Sequence, residues 1–190
     1  MINNAIESVL FITDQIQSNL VILAWITLIL WGIFFLNQAL GQRLLFLGIV
    51  PRKIYGLPGI LFAPFLHANF NHLFFNTIPL LVLSAFLLVH GLPYFIVVTL
   101  LITVISGLLI WLFAKPGLHV GASAVVTGYW GLLVTDIYKE GSPTAILLGV
   151  VSLYYFAGIF FGIFPSKRGV SWEGHLFGLL AGITTAFLLL

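Results

Sequence analysis

The chain has 190 residues, 61% of them hydrophobic and only 6% charged, and its mean hydropathy is +1.19. That balance excludes a water-soluble fold and places the chain in a bilayer. With no cysteine, disulfides, thiolate catalysis and thiolate metal sites are excluded; the seven Lys and Arg are scattered, the net charge is +2, and no basic stripe supports nucleic-acid binding.

In chain order, the sequence opens with MINNAIESVLFITDQIQS, which holds no Lys or Arg and nothing resembling a cleavable signal peptide. A spanning helix needs roughly 20 mostly apolar residues, and six such runs follow, separated by charges, Gly and Pro. They are expected near 19–39, 71–89, 93–113, 121–138, 143–164 and 170–190. The predicted fold is therefore all-α: a polytopic membrane protein with six transmembrane helices in a single domain over 1–190. The long connection between the first two runs, GQRLLFLGIVPRKIYGLPGILFAPFLHANF, is itself apolar and broken by Gly and Pro. It is expected to lie in the membrane interface or to dip into it.

Six spans place the starts of the second, fourth and sixth on one side of the membrane. His72 and Asn76 lie in the first turns of the second span, Ser123 at the start of the fourth, and His175 about five residues into the sixth. At ~1.5 Å rise per residue, three distant segments bring Ser, His, His and Asn to one depth.

Each of these residues admits two readings. In GASAVVTG, Ser123 stands among side chains too small to cover it, at a helix start whose free N–H groups favour negative charge. Small residues and Ser are also how membrane helices pack. In GHLFGLLAG, Gly178 and Gly182 share a face with His175 and let another helix approach beneath the imidazole. The matching face on the fourth span is expected at Ser123, Thr127, Trp130 and Gly131. An ionisable residue within a span costs ~2.5 kcal/mol or more when charged, which favours function over chance.

In HANFNHLFFN, His72 and Asn76 are four apart and share a face, whereas His67 is read as a structural residue that ties down the long connection. Asn69 or Asn71 is the expected helix cap. A Ser attacking a carbonyl needs a base and donors for the developing oxyanion, which His175 and the His72–Asn76 pair would supply. No carboxylate completes a triad: Asp136 falls near the far end of the fourth span, and Glu173 is expected at the interface near Lys167 or Arg168. His90 closes the second span on the opposite face, and His119 is expected to order the turn before Ser123. The zinc-protease pattern HExxH is absent.

Three motifs in order, HANFNHLFFN, GASAVVTG and GHLFGLLAG, give the chain a resemblance to the rhomboid intramembrane serine proteases. The resemblance implies Ser123 as nucleophile, His175 as its base, and an oxyanion hole of His72, Asn76 and the Ser123 backbone N–H. It implies no cofactor, and as partners the lipid bilayer and single-span membrane proteins cut within or beside their transmembrane segments. Ala124 stands where the family commonly has Gly. Thr127 stands where an aromatic often stacks on the catalytic His, so Trp130, Tyr154 or Tyr155 is expected to hold that ring. Pro58-Gly59 replaces a Trp-Arg pair of the first loop. Two rivals remain: an inactive rhomboid-like protein that binds membrane helices, and a small transporter or haem carrier with His72 and His175 as ligands.

Orientation draws two opposed expectations. Arg43, Arg52, Lys53, Lys115, Lys167 and Arg168 fall on the predicted active-site face and Lys139 on the other, so the positive-inside rule would put the site in the cytoplasm. The resemblance implies an extracytoplasmic site in the plasma membrane, and that orientation is preferred.

Overall fold

The computed structural model describes residues 2–164 and 171–189. A helix not anticipated from the sequence comes first. In α1 (Ile2–Ser18) Ile12 and Ile16 sit four apart and pack into the main core against α4 and α7, while Glu7 and Asp14 face outward. Its polar residues hide it from a search for spans, yet the i, i+4 spacing of Ile12 and Ile16 gives it a face to bury. After Asn19 the chain continues as α2 (Leu20–Ala39).

The long connection is compact and built from short helical turns at Arg43–Leu47, Ile54–Gly56 and Ala63–Phe65 and the single turn α3 (Gly59–Phe62). Its glycines permit close crossings. A β-carbon on Gly59 would collide with the backbone of Gly48 and Ile49, and Gly107 of α5 (Leu92–Phe113) leaves room for Ile60. Arg52 fastens the connection to the end of α5 by donating its guanidinium N–H to the carbonyls of Leu112 (3.1 Å) and Ala114 (2.8 Å). A cation on the last carbonyls of a helix satisfies orphan acceptors and suits the dipole. Trp111 returns the contact, its indole N–H donating to the Lys53 carbonyl at 2.9 Å.

Between these elements, α4 (Phe70–Leu88) is capped by Asn69, whose side chain accepts the His72 N–H at 2.9 Å, so Asn69 rather than Asn71 starts the helix. The remaining helices are α6 (Ser123–Lys139), α7 (Pro143–Phe156), the single turn α8 (Gly158–Phe161) and α9 (Trp172–Leu188). The fifth expected run thus stops being one helix at Ala157. The sixth begins at Trp172, and residues 170 and 190 lie outside the described ones.

Among the described residues, three helices are long and apolar enough to cross a membrane: α2, α4 and α5. The most extensive helix pair is nonetheless α6 with α9. A β-carbon on Gly178 would collide with the Ala124 carbonyl, and one on Gly182 with that of Gly128. Small residues bring the two backbones together, as in membrane helix pairs generally. The face of α6 is therefore Ala124, Gly128 and Gly131, a correction to the expected Ser123, Thr127, Trp130 and Gly131. Because α9 approaches one face over, Ser123 and Thr127 are left to line a cavity, and Trp130 turns to α7 and α8, where its indole donates to the Ser152 carbonyl at 3.1 Å and its ring meets Phe160.

Candidate active site

The N-terminal ends of α4, α6 and α9 converge on a cavity of about 580 Å³. His72, Asn76, Ser123 and His175 all line it, so the structure gathers the four singled-out residues, and Thr127, His119 and Ser171 join them. Gly158 and Ile159 of α8, the Gly162 that ends it, and Phe75 and Pro79 of α4 complete the lining.

Ser123 is the first residue of α6, half-exposed to the cavity, between buried Ala122 and Ala124. The long connection holds the turn before it at three points. Ile49 and His119 exchange two backbone hydrogen bonds of 2.9 Å, the Gly121 N–H donates to the Ala63 carbonyl at 2.9 Å, and the Ala122 N–H donates to His67 Nε2 at 3.4 Å. His67 is buried and its ring lies edge-on to His72, with centroids 5.1 Å apart. Its expected structural role is met. Burial first, and the neighbouring His72 second, lower its pKa to about 4, so it is a neutral acceptor.

His72 is set by the Asn69 cap and packs its ring on Gly121, where a β-carbon would lie 2.5 Å from Nε2. Gly121 also has φ +114°, a backbone region that side chains disfavour, so two independent constraints call for glycine there. Asn76 Nδ2 donates to the His72 carbonyl at 2.7 Å. An amide carries two N–H groups, and one such bond leaves a second donor.

His175 stands one turn into α9, after a cap in which Ser171 Oγ accepts the Gly174 N–H at 3.2 Å. The same hydroxyl meets His119 Nδ1 at 2.9 Å, while His119 Nε2 lies 3.0 Å from the Lys115 carbonyl. His119 thereby latches the turn that carries Ser123 to the cap of the helix that carries His175. Sequence reasoning assigned His119 to the turn but had no signal for Ser171.

The His175 ring rests against α8. Its Nδ1 is buried against the Gly162 backbone, close enough that a β-carbon on Gly162 would collide with it. The expected supports do not serve, for Tyr154 and Tyr155 are exposed and Trp130 is occupied with Ser152 and Phe160. Gly162 went unnoticed because it lies thirteen residues before His175 and only the break between α7 and α8 brings it over the ring.

Ser123 and His175 share the cavity without a hydrogen bond between them. Among the described residues no carboxylate contacts His175. Glu173 is buried in the first turn of α9, two residues after the Ser171 cap, and Lys167 and Arg168, its expected neighbours, lie outside the described residues. His72, His119 and His175 all line the cavity, and no group of three His, Cys, Asp or Glu able to hold a metal occurs among the described residues.

A family model described as Rhomboid domain matches residues 54–190. An uncharacterized protein of Mycobacterium tuberculosis, Rv1337, is 39% identical over 170 residues, covering 85% of this chain and 71% of its own. An uncharacterized protein of Mycobacterium leprae, ML1171, is 38% identical over 152 residues, covering 75% of this chain and 60% of its own.

Proposed function

The chain belongs to the rhomboid family, and from that premise we propose that it is an intramembrane serine endopeptidase working with a Ser123–His175 dyad. It is an integral membrane protein, with the six apolar runs as its spans and the cavity opening toward the extracytoplasmic side of the plasma membrane. The single observation that carries the reading is the convergence of Ser123, His175, His72 and Asn76 on one cavity from three helices.

The chemistry follows from which atoms are free. With Nδ1 buried against Gly162, Nε2 is the His175 nitrogen left to the cavity. As Ser123 Oγ bonds to the scissile carbonyl carbon, its proton passes to Nε2, and the carbonyl oxygen gains the negative charge. The His72 ring, the second Asn76 N–H and the Ser123 N–H are the donors for that oxyanion, in a site where each such donor is worth ~3 to 4 kcal/mol. When the C–N bond breaks, His175 returns the proton to the leaving amine, and a water repeats the sequence to release the acyl group. Proton transfer needs a Ser–His separation near 3 Å, and substrate binding closes the remaining gap. Substrates are single-span membrane proteins whose helix opens near the cleavage point, because a carbonyl held in helical hydrogen bonds cannot be attacked.

An inactive helix-binding protein of the same fold would keep the cavity without the reactivity. Labelling by a fluorophosphonate separates the two: the protease reading expects labelling of the native protein and its loss in both Ser123→Ala and His175→Ala. A native protein that stays unlabelled while folded and membrane-inserted would favour the binder.

A further inference from the structure

A second cavity, of about 230 Å³, lies behind the nucleophile turn. Its outer wall is Ile26, Ile29 and Leu30 of α2; Leu80 and Ser84 of α4 and Phe95, Thr99 and Thr103 of α5 flank it. Its inner end is Ala122, just before α6, with Val125 and Tyr129 of α6. Ala122 and Val125 bracket Ser123, so this cavity and the active-site cavity are separated by the first turn of α6.

The wall is almost entirely carbon. Thr99 Oγ1 and Tyr129 Oη are engaged with one another at 2.6 Å, and Ser84 Oγ, though without a hydrogen-bond partner, has almost no accessible surface. Water in such a space would lack the two to four polar partners it needs. The mouth is rimmed by exposed Ile29 and Phe65. Ile29 is the tenth of the twenty residues of α2, and Thr99 and Thr103 are near the middle of the 22-residue α5. Both helices are long and apolar enough to cross a membrane, so at ~1.5 Å rise per residue Ile29, Thr99 and Thr103 stand about halfway across the hydrocarbon layer, while Phe65 belongs to the connection that packs at the start of α6. The solvent at that depth is lipid chain.

We propose that this cavity is a binding site for one acyl chain of a bilayer phospholipid, inserted between α2 and α5 with its methyl end against Ala122 and Val125. An empty space there would forfeit the dispersion contacts of every lining side chain, and an alkyl chain restores them without displacing any hydrogen bond. The bound chain is a support for the turn that carries Ser123. Binding itself does not depend on the protease reading; only the consequence for turnover does.

The test is photolabelling in vesicles of phosphatidylcholine and phosphatidylglycerol that contain a phospholipid with a diazirine midway along one acyl chain. After irradiation and digestion, adducts are expected on buried lining residues such as Leu80 and Thr103, which lipid at the outer surface cannot touch, as well as on outward-facing Leu28 and Leu100. Filling the cavity with Ile26→Trp, or independently with Leu80→Phe, should abolish the inner adducts and leave those on Leu28 and Leu100, whose persistence reports a folded, inserted protein. Adducts confined to the outward residues in the native protein, or inner adducts that survive both filling substitutions, would overturn the proposal. Fluorophosphonate labelling of the same samples is a separate reading, so a loss of the protease assignment would not be mistaken for a loss of the lipid site.

Discussion

Replacing Gly162 by alanine probes how the His175 ring is held. Gly162 has helical backbone angles, with φ −67°, so alanine adds no backbone strain and the perturbation is confined to one methyl group. That methyl would collide with Nδ1 and stand 2.8 Å from Cε1 of His175, where ordinary contact begins near 3.4 Å. The ring must therefore retreat by roughly 1 Å, a displacement that costs about 10²-fold in rate when it moves a catalytic group, or about 2.7 kcal/mol of transition-state stabilisation. The assay is kcat/KM for a model transmembrane substrate in proteoliposomes, with thermal unfolding of the same preparation. A loss near that size with an unfolding temperature close to native is expected, and Gly162→Ser should behave likewise. Undiminished turnover in a folded Gly162→Ala protein would show that the contact with Gly162 does not position the ring.

Asn76→Ala should lower turnover by ~10²-fold or more while His67→Ala acts mainly through stability, and equal effects on folding with unchanged turnover per folded molecule would refute the division of roles. The pH dependence of stability follows from His67. Its folded pKa of about 4 lies below the ordinary 6.5, so the unfolded chain takes up the proton first; the stability is whole above pH 6.5 and is lost as pH falls toward 4. The full loss is roughly 3 kcal/mol, so unfolding temperatures measured down that range should fall less steeply in His67→Gln, and parallel curves would contradict it. For orientation, Lys115→Cys in this cysteine-free chain should react with an impermeant maleimide on intact cells; reaction only after lysis would place the site in the cytoplasm, as the charge distribution implies.

The residues of the candidate site were legible because their chemistry is costly in a bilayer: Ser123, His72, Asn76 and His175 stand out against apolar surroundings, and counting runs puts them at one depth. What supports them was not legible. Gly162 reaches His175 only through the break after Phe156, and Ser171 meets His119 across 52 residues of sequence. The packed face of α6 differs from the expected one because periodicity gives the angle between residues on a helix but not which face a partner covers; the small side chains of Ala124 and Gly128, beside Ser123 and Thr127, mark the face that α9 takes. In α1, Glu7, Asp14 and the Asn, Gln, Ser and Thr around them lower the hydropathy that a span search requires, although Ile12 and Ile16 carry the burial.

The dyad itself is tested most directly by cleavage of a single-span substrate in proteoliposomes by the native protein, Ser123→Ala, His175→Ala and the double variant. Two groups acting as one unit predict that each single substitution abolishes cleavage and that the double is no worse than either. Substantial cleavage by folded, inserted Ser123→Ala protein would contradict the account.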